Sequence, residues 1–177
     1  MKSMQLAAML SLTTVILSNT AGAEPIQRTS ERKLGFSLVL PGAWKRVADP
    51  DGRTMSYYQE SEDGAQQITV DAIWADRELT SDERREACKT LAEERRNAER
   101  QAMGASWPLG EMRMSEDRGR SAVSYEGGDR DTGTLTRSLI LCSKRGAWAF
   151  IFGQKTRTVD AFRKRASAIL GTVDVER

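Results

Sequence analysis

From Phe36 to Phe152 the chain returns repeatedly to one pattern, a short run of alternating apolar and polar residues closed by turn formers. Period two is the spacing of a strand with one buried face, because successive side chains point to opposite sides of a sheet. In GFSLVLPG, Phe36, Leu38 and Leu40 face one way until Pro41-Gly42 ends the run. Proline cannot donate to a ladder, and glycine permits the turn. ADPDG then precedes TMSYYQE, and SEDG leads into QITVDAIWA, where Ile68, Val70, Ala72 and Trp74 share a face. These three runs read as an antiparallel meander. Later come a short candidate at 111–115, then RSAVSYEG, TLTRSLILCS and AWAFIFG. Connections this short suit antiparallel neighbours, since parallel strands need long crossovers.

Two helices interrupt the strands. Thr80 and Glu83 form a T-x-x-E capping box, followed by a narrow stripe of Ala87, Leu91, Ala98 and Ala102 with Cys88 beside it. Small residues there allow close approach to a sheet, and Gly104 is the natural stop. Near Val159 a second helix begins, with Val159, Phe162, Ala166, Ile169 and Val173 at helical spacing. The order β-β-β-α-β-β-β-β-α predicts an α+β class: an antiparallel sheet of about six to seven strands flanked by two main helices.

The N-terminal stretch MKSMQLAAMLSLTTVILSNTAGA is read separately. Lys2 supplies a positive n-region, an apolar core runs from about Leu6 to Leu17, and Ala21-Gly22-Ala23 provides small residues for cleavage after Ala23. The core is short of the roughly 20 residues that span a bilayer. Residues 1–23 are therefore expected to be a signal peptide, 24–33 a flexible polar lead-in, and 34–177 one domain. The chain is expected to be periplasmic or secreted, without a membrane span. Its net charge of +2 gives no long-range field to attract nucleic acid or anionic lipid.

There are two cysteines, Cys88 and Cys142. An oxidising compartment favours a disulfide between them, which would stabilise the fold by roughly 4 kcal/mol. Two separate buried thiols are the alternative, because sequence supplies no geometry.

No histidine occurs anywhere in the chain. That excludes Ser-His-Asp and Cys-His catalysis, His-based zinc sites and imidazole as a general base. No catalytic residue, metal ligand or cofactor is predicted. Carboxylate pairs require separate treatment, because a glycosidase needs only two acids flanking a bond. Asp71, Glu111, Glu126, Asp129 and Asp131 are the candidates. Asp71 reads as an outward residue opposite Ile68 and Val70, paired to an arginine such as Arg137. GGDRDTG, residues 127–133, has too few acids for a calcium loop and reads as a hairpin tip. Trp107, in a loop and followed by Pro108, is the aromatic expected at a recognition surface, together with Asp129, Arg130 and Asp131 of the hairpin. Trp44 is expected to close one end of the core.

The run Leu40-Pro41-Gly42-Ala43-Trp44 ends a strand in P-x-x-W. With the mid-chain helix, the hairpin SLILCSKRGAWAFIFG and the closing AFRKRASAIL helix, it resembles PsbP-like domains from about Leu34 to Val175. That family includes the extrinsic photosystem protein that names it, a Ran-binding import factor and bacterial exported proteins. The resemblance implies a PsbP-like sandwich that binds partners without chemistry, and it carries over no catalytic residues. The expected function is therefore an exported non-enzymatic binding or accessory protein acting by protein–protein contact. Its partner would be an envelope component or a secreted effector. An immunity protein against a periplasm-delivered toxin is one concrete form. A carboxylate-based glycan hydrolase or cell-wall-binding enzyme is the alternative, with Asp71 and Glu126 as its acids.

Overall fold

The structure is a computed structural model that describes residues 26–50, 52–60, 64–117, 119–129 and 131–176. The expected signal peptide and Arg130 lie outside the described residues. Five strands come first: β1 (Ile26–Glu31), β2 (Phe36–Pro41), β3 (Lys45–Ala48), β4 (Thr54–Gln59) and β5 (Gln66–Trp74). Helix α1 (Ser81–Met103) separates them from β6 (Arg113–Asp117), β7 (Arg120–Asp129), β8 (Thr134–Cys142) and β9 (Gly146–Lys155). Helix α2 (Val159–Leu170) and the two-residue β10 (Asp174–Val175) close the chain.

Seven strands form one antiparallel sheet in the order β3-β4-β5-β9-β8-β7-β6, and β1-β2-β10 form a second, smaller sheet. The alternation read in the sequence sets which side chain goes where. On β9, Trp148, Phe150 and Phe152 join a cluster with β2, Ile68 and Val70 of β5, and Phe162, Ala166 and Ile169 of α2. Ala147 and Ala149 point the other way, into a cluster with Cys88, Leu91 and Ala92 of α1 and Val123 and Ile140. The main sheet is thus covered by α1 on one face and by α2 with the small sheet on the other.

The chain changes layer at the P-x-x-W stretch. Gly42 has φ 93°, a left-handed conformation that side-chain-bearing residues rarely adopt. The Trp44 indole nitrogen donates to the Pro41 carbonyl at 2.9 Å, closing the turn, while its ring is 7% exposed in the larger cluster. The spacing between proline and tryptophan is that of a side-chain-closed turn, and Trp44 fills the core as expected.

β1, β2, β3 and β10 depart from the sequence reading. Residues Ile26–Glu31, expected within a flexible lead-in, pair along their whole length with β2. Only Thr29 of that strand is buried, so no alternation announced it. β3 is exposed at all four positions and is defined by pairing with β4. In consequence the meander consists of β3, β4 and β5, and β2 belongs to the other layer.

In α1 the capping box is present, with the Thr80 amide donating to Glu83 at 2.8 Å. Arg77 also pairs with Glu83, and with the Thr80 contacts it holds that carboxyl at about 2. The buried stripe is Arg84, Cys88, Leu91 and Ala92; Ala98 and Ala102 are exposed. Past Ala92 the helix is held by polar contacts instead. Cys88 and Cys142 form a disulfide that ties α1 to the end of β8, with Cα atoms 5.7 Å apart. Among the described residues no helix is long and apolar enough to cross a membrane.

Candidate functional site

Because α1 packs on β7, β8 and β9, it leaves the same face of β4 and β5 uncovered. The step between helix and bare sheet is a groove of about 420 Å³, within the range of about 300–1,000 Å³ usual for ligand sites. Register determines its floor. Tyr58 lies opposite Gln67, Gln67 opposite Gly153, and Gly153 opposite Thr136, so one row of four strands crosses it. Thr69 and Ile151 form the next row. Arg95 and Met103 of α1 supply the wall, and Glu60 and Lys155 stand at one end.

The polar groups of the groove hold one another in place. Gln67 Nε2 donates to the Tyr58 hydroxyl at 3.2 Å and to Thr69 Oγ1 at 3.0 Å. Arg95 pairs with Asp71 Oδ2 at 2.7 Å, and the Thr54 hydroxyl donates to Asp71 Oδ1 at 2.7 Å. One turn further along α1, Glu99 accepts from the Tyr125 hydroxyl at 2.9 Å and from Ser138 at 3.1 Å. Burial pushes the Tyr125 phenol well above its ordinary value, and the Glu99 charge pushes it further. Tyr125 therefore stays protonated and acts as a donor that fixes the helix.

Asp71 lies on the face opposite Ile68 and Val70, as the alternation requires. Its partner is Arg95 of α1, whereas Arg137 bonds Ser167 and lies 3.9 Å from Glu126. Glu126 projects from the other face of the sheet, where Arg163 of α2 reaches it at 2.8 Å. A seven-stranded sheet stands between the Asp71 and Glu126 carboxylates, so these two cannot flank one glycosidic bond. Glu111 is exposed, just before β6.

Trp107 does not stand at a surface. Its ring is 6% exposed, packed over Gly127, because Leu109 bridges to Gly127 and the Gly110 amide donates to the Glu126 carbonyl at 2.7 Å. The loop thus lies alongside β7 and folds the indole inward; its Nε1 has no hydrogen-bond partner among the described residues. Residues 127–133 include a hairpin tip, as expected. Asp129 ends β7 and accepts from the Asp131 amide at 2.8 Å, a local turn contact. Asp131 is exposed. No group of three or more metal-ligating residues occurs among the described residues.

Of the groove residues the sequence reading singled out Asp71 but did not place it in a groove, and two signals point to the others. In TMSYYQE the adjacent tyrosines must face opposite ways, and Tyr57 is buried while Tyr58 is 41% exposed. Gly153 interrupts the run AWAFIFGQK in mid-strand.

No protein-family model matches this sequence, and no curated protein matches it. Among solved structures it is similar to the solution structure of cyanobacterial PsbP (CyanoP) from Synechocystis sp. PCC 6803. Identity there is 14% and the TM-score 0.64, over 90% of this chain and 99% of that one. A crystal structure from Bacteroides thetaiotaomicron VPI-5482 aligns at 14% identity and a TM-score of 0.39, covering 80% of this chain and 45% of that one; likeness at that level carries no argument. With its antiparallel sheet between α1 and α2, and with the alignment to cyanobacterial PsbP, the chain has a PsbP-like fold.

Proposed function

We propose that the protein is an exported, non-enzymatic accessory protein that acts by protein–protein contact, through the open edge of its main sheet at β3. The apolar leader ending Ala21-Gly22-Ala23 and the Cys88–Cys142 disulfide support export, since disulfides persist in oxidising compartments.

The observation that carries the contact is the edge itself. β3 ends the strand order, and all four of its residues are exposed. The Asp49 amide donates to the Thr54 carbonyl, so by alternation the backbone groups of Arg46 and Ala48 face away from β4. Such a row is a template for an extended segment of a partner, with main-chain bonds giving affinity. The partner is an envelope component or a secreted effector, and neutralising a periplasm-delivered toxin is one form of the role.

Ala48→Pro removes an outward amide without touching the ladder to β4, a substitution that edge strands tolerate. In crosslinking from envelope extract, the parent should capture a defined partner that Ala48→Pro loses at an unchanged thermal midpoint. Capture of the same partner by Ala48→Pro would refute edge pairing. Recovery of nothing above an unrelated exported control would count against protein contact altogether.

A further inference from the structure

Gly153 occupies the middle of the groove floor, away from the β3 edge. Its φ is not among the positive values, so its backbone conformation does not require glycine. Nothing lies within 4 Å of the position a Cβ would take. Gly127 in β7 is the opposite case: a Cβ there would meet Trp107 Nε1 at 2.9 Å and Leu109 Cδ2 at 2.8 Å, so packing within the chain explains it. A glycine inside a strand weakens it, and such positions often mark a bulge, a tight bend or a close approach by a ligand or another backbone. The bare floor at Gly153 is a hollow that the chain's own side chains do not use.

We propose that this hollow is a subsite for one neutral saccharide ring. The chemistry of the lining selects that class. Around Gly153 stand the Tyr58 hydroxyl, the Gln67 amide and the hydroxyls of Thr69, Thr134 and Thr136, all uncharged and able to hydrogen-bond. Ile151, Met103 and the exposed Tyr58 ring give the apolar surface that a sugar's C–H face needs. Arg95 is committed to Asp71, and Lys155 shares its end of the groove with Glu60, so an anionic ligand finds no dominant cation. A wholly apolar ligand would cover the Tyr58 hydroxyl proton and the Gln67 carbonyl oxygen, which the bonds from Gln67 Nε2 to Tyr58 and Thr69 do not use, and cut them off from water. An extended peptide would lie on a sheet face, where backbone groups already pair in the ladder, and its own amides would find no ladder partner there. A polyol, which donates and accepts at every hydroxyl, meets the side chains on equal terms. A glycan site in this groove would weigh toward an envelope-accessory role.

The test uses the purified chain with maltotriose, cellotriose and chitotriose as separate probes, and triglycine and inorganic phosphate as controls. Calorimetry gives affinity, and two-dimensional NMR gives the location. At least one trisaccharide should bind at millimolar concentration or below and shift the amides of Gln67, Thr136 and Gly153. Gly153→Val should weaken that binding by at least about tenfold. Its thermal midpoint should equal or exceed the parent's, because valine favours a strand and its Cβ meets open space. Tyr58→Ala, at an exposed side chain, should weaken binding with the fold intact and serves where the valine variant fails to fold. The proposal is overturned if no trisaccharide shifts those amides. It is also overturned if both variants bind as tightly as the parent, or if only triglycine or phosphate binds there.

Discussion

Helix α1 itself brings few apolar side chains to its seam with the sheet, and that gives the disulfide a large share in holding it. Of its 23 residues, the buried apolar ones are Cys88, Leu91 and Ala92. Burying one leucine side chain is worth about 1.5–3 kcal/mol, and alanine adds little. The other anchors are polar: Arg85 to Glu116 of β6, Arg95 to Asp71, Arg96 to the Gly110 carbonyl and over the Tyr125 ring, Tyr125 and Ser138 to Glu99, and Arg84, which caps the Leu79 carbonyl. The bond between Cys88 and Cys142 spans 54 residues. In the chain-entropy model a closed loop of that length removes about 14 cal/mol/K from the unfolded chain, or about 4 kcal/mol at room temperature. That exceeds what the helix's own buried apolar side chains contribute. The Cys88→Ala/Cys142→Ala variant should therefore lose about 4 kcal/mol in urea denaturation relative to the oxidised parent. Amide exchange should show where the loss falls. Protection should collapse along Ser81–Met103 while β9, buried on both faces up to Phe150, retains the greatest protection. The parent must first show no reactive thiols when unfolded without reductant. Given that, a loss under about 1 kcal/mol, or unchanged exchange in α1, would refute the loop-closure reasoning.

Trp44→Ala should cost about 3–5 kcal/mol by urea titration, since it empties a nearly closed core position and opens the turn on Pro41. A loss below about 1 kcal/mol would show that the ring does not fill the core. Glu31 bridges the two sheets, accepting from Arg46 at 2.6 and 2.9 Å and from the buried Tyr57 hydroxyl at 2.9 Å. Burial opposes its charge, but the bonds from Arg46 and Tyr57 outweigh burial and hold its pKa below the ordinary 4.5. A depressed carboxyl stabilises the fold above the unfolded value and ceases to do so as pH falls through the folded one. The parent should accordingly lose stability below pH 4.5. Glu31→Gln should be about 1–2 kcal/mol less stable near neutrality and flatter across that acid range. Parallel pH profiles for the two proteins would refute the bridge.

Elements whose stability comes from local pattern were legible in the sequence. The alternation in β2, β5, β7, β8 and β9 and the helical spacing in α2 each encode a face, and burial follows that face directly. Capping of α1 by Thr80 and Glu83 is a contact over three residues and needs no distant partner. β1, β3 and β10 carry no such code. Each is short or polar and exists because a neighbour offers an open ladder, so its identity depends on residues far along the chain. Trp107 shows the same limit. Its loop position suggested exposure, but a bridge to Gly127 turns it inward.

By itself the sequence determined the α+β class, the antiparallel connections, the two helices and the placing of Trp44 in the core. These follow from side-chain period and turn chemistry, which act over a few residues. Only the tertiary structure decided that β2 leaves the main sheet, that Asp71 meets Arg95 while Glu126 meets Arg163, and that α1 stops short of β4 and β5. Those outcomes depend on how layers stack and how far a helix reaches across a sheet. Short-range pattern carries no information about either. The groove, with Gly153 bare on its floor, comes from that stacking.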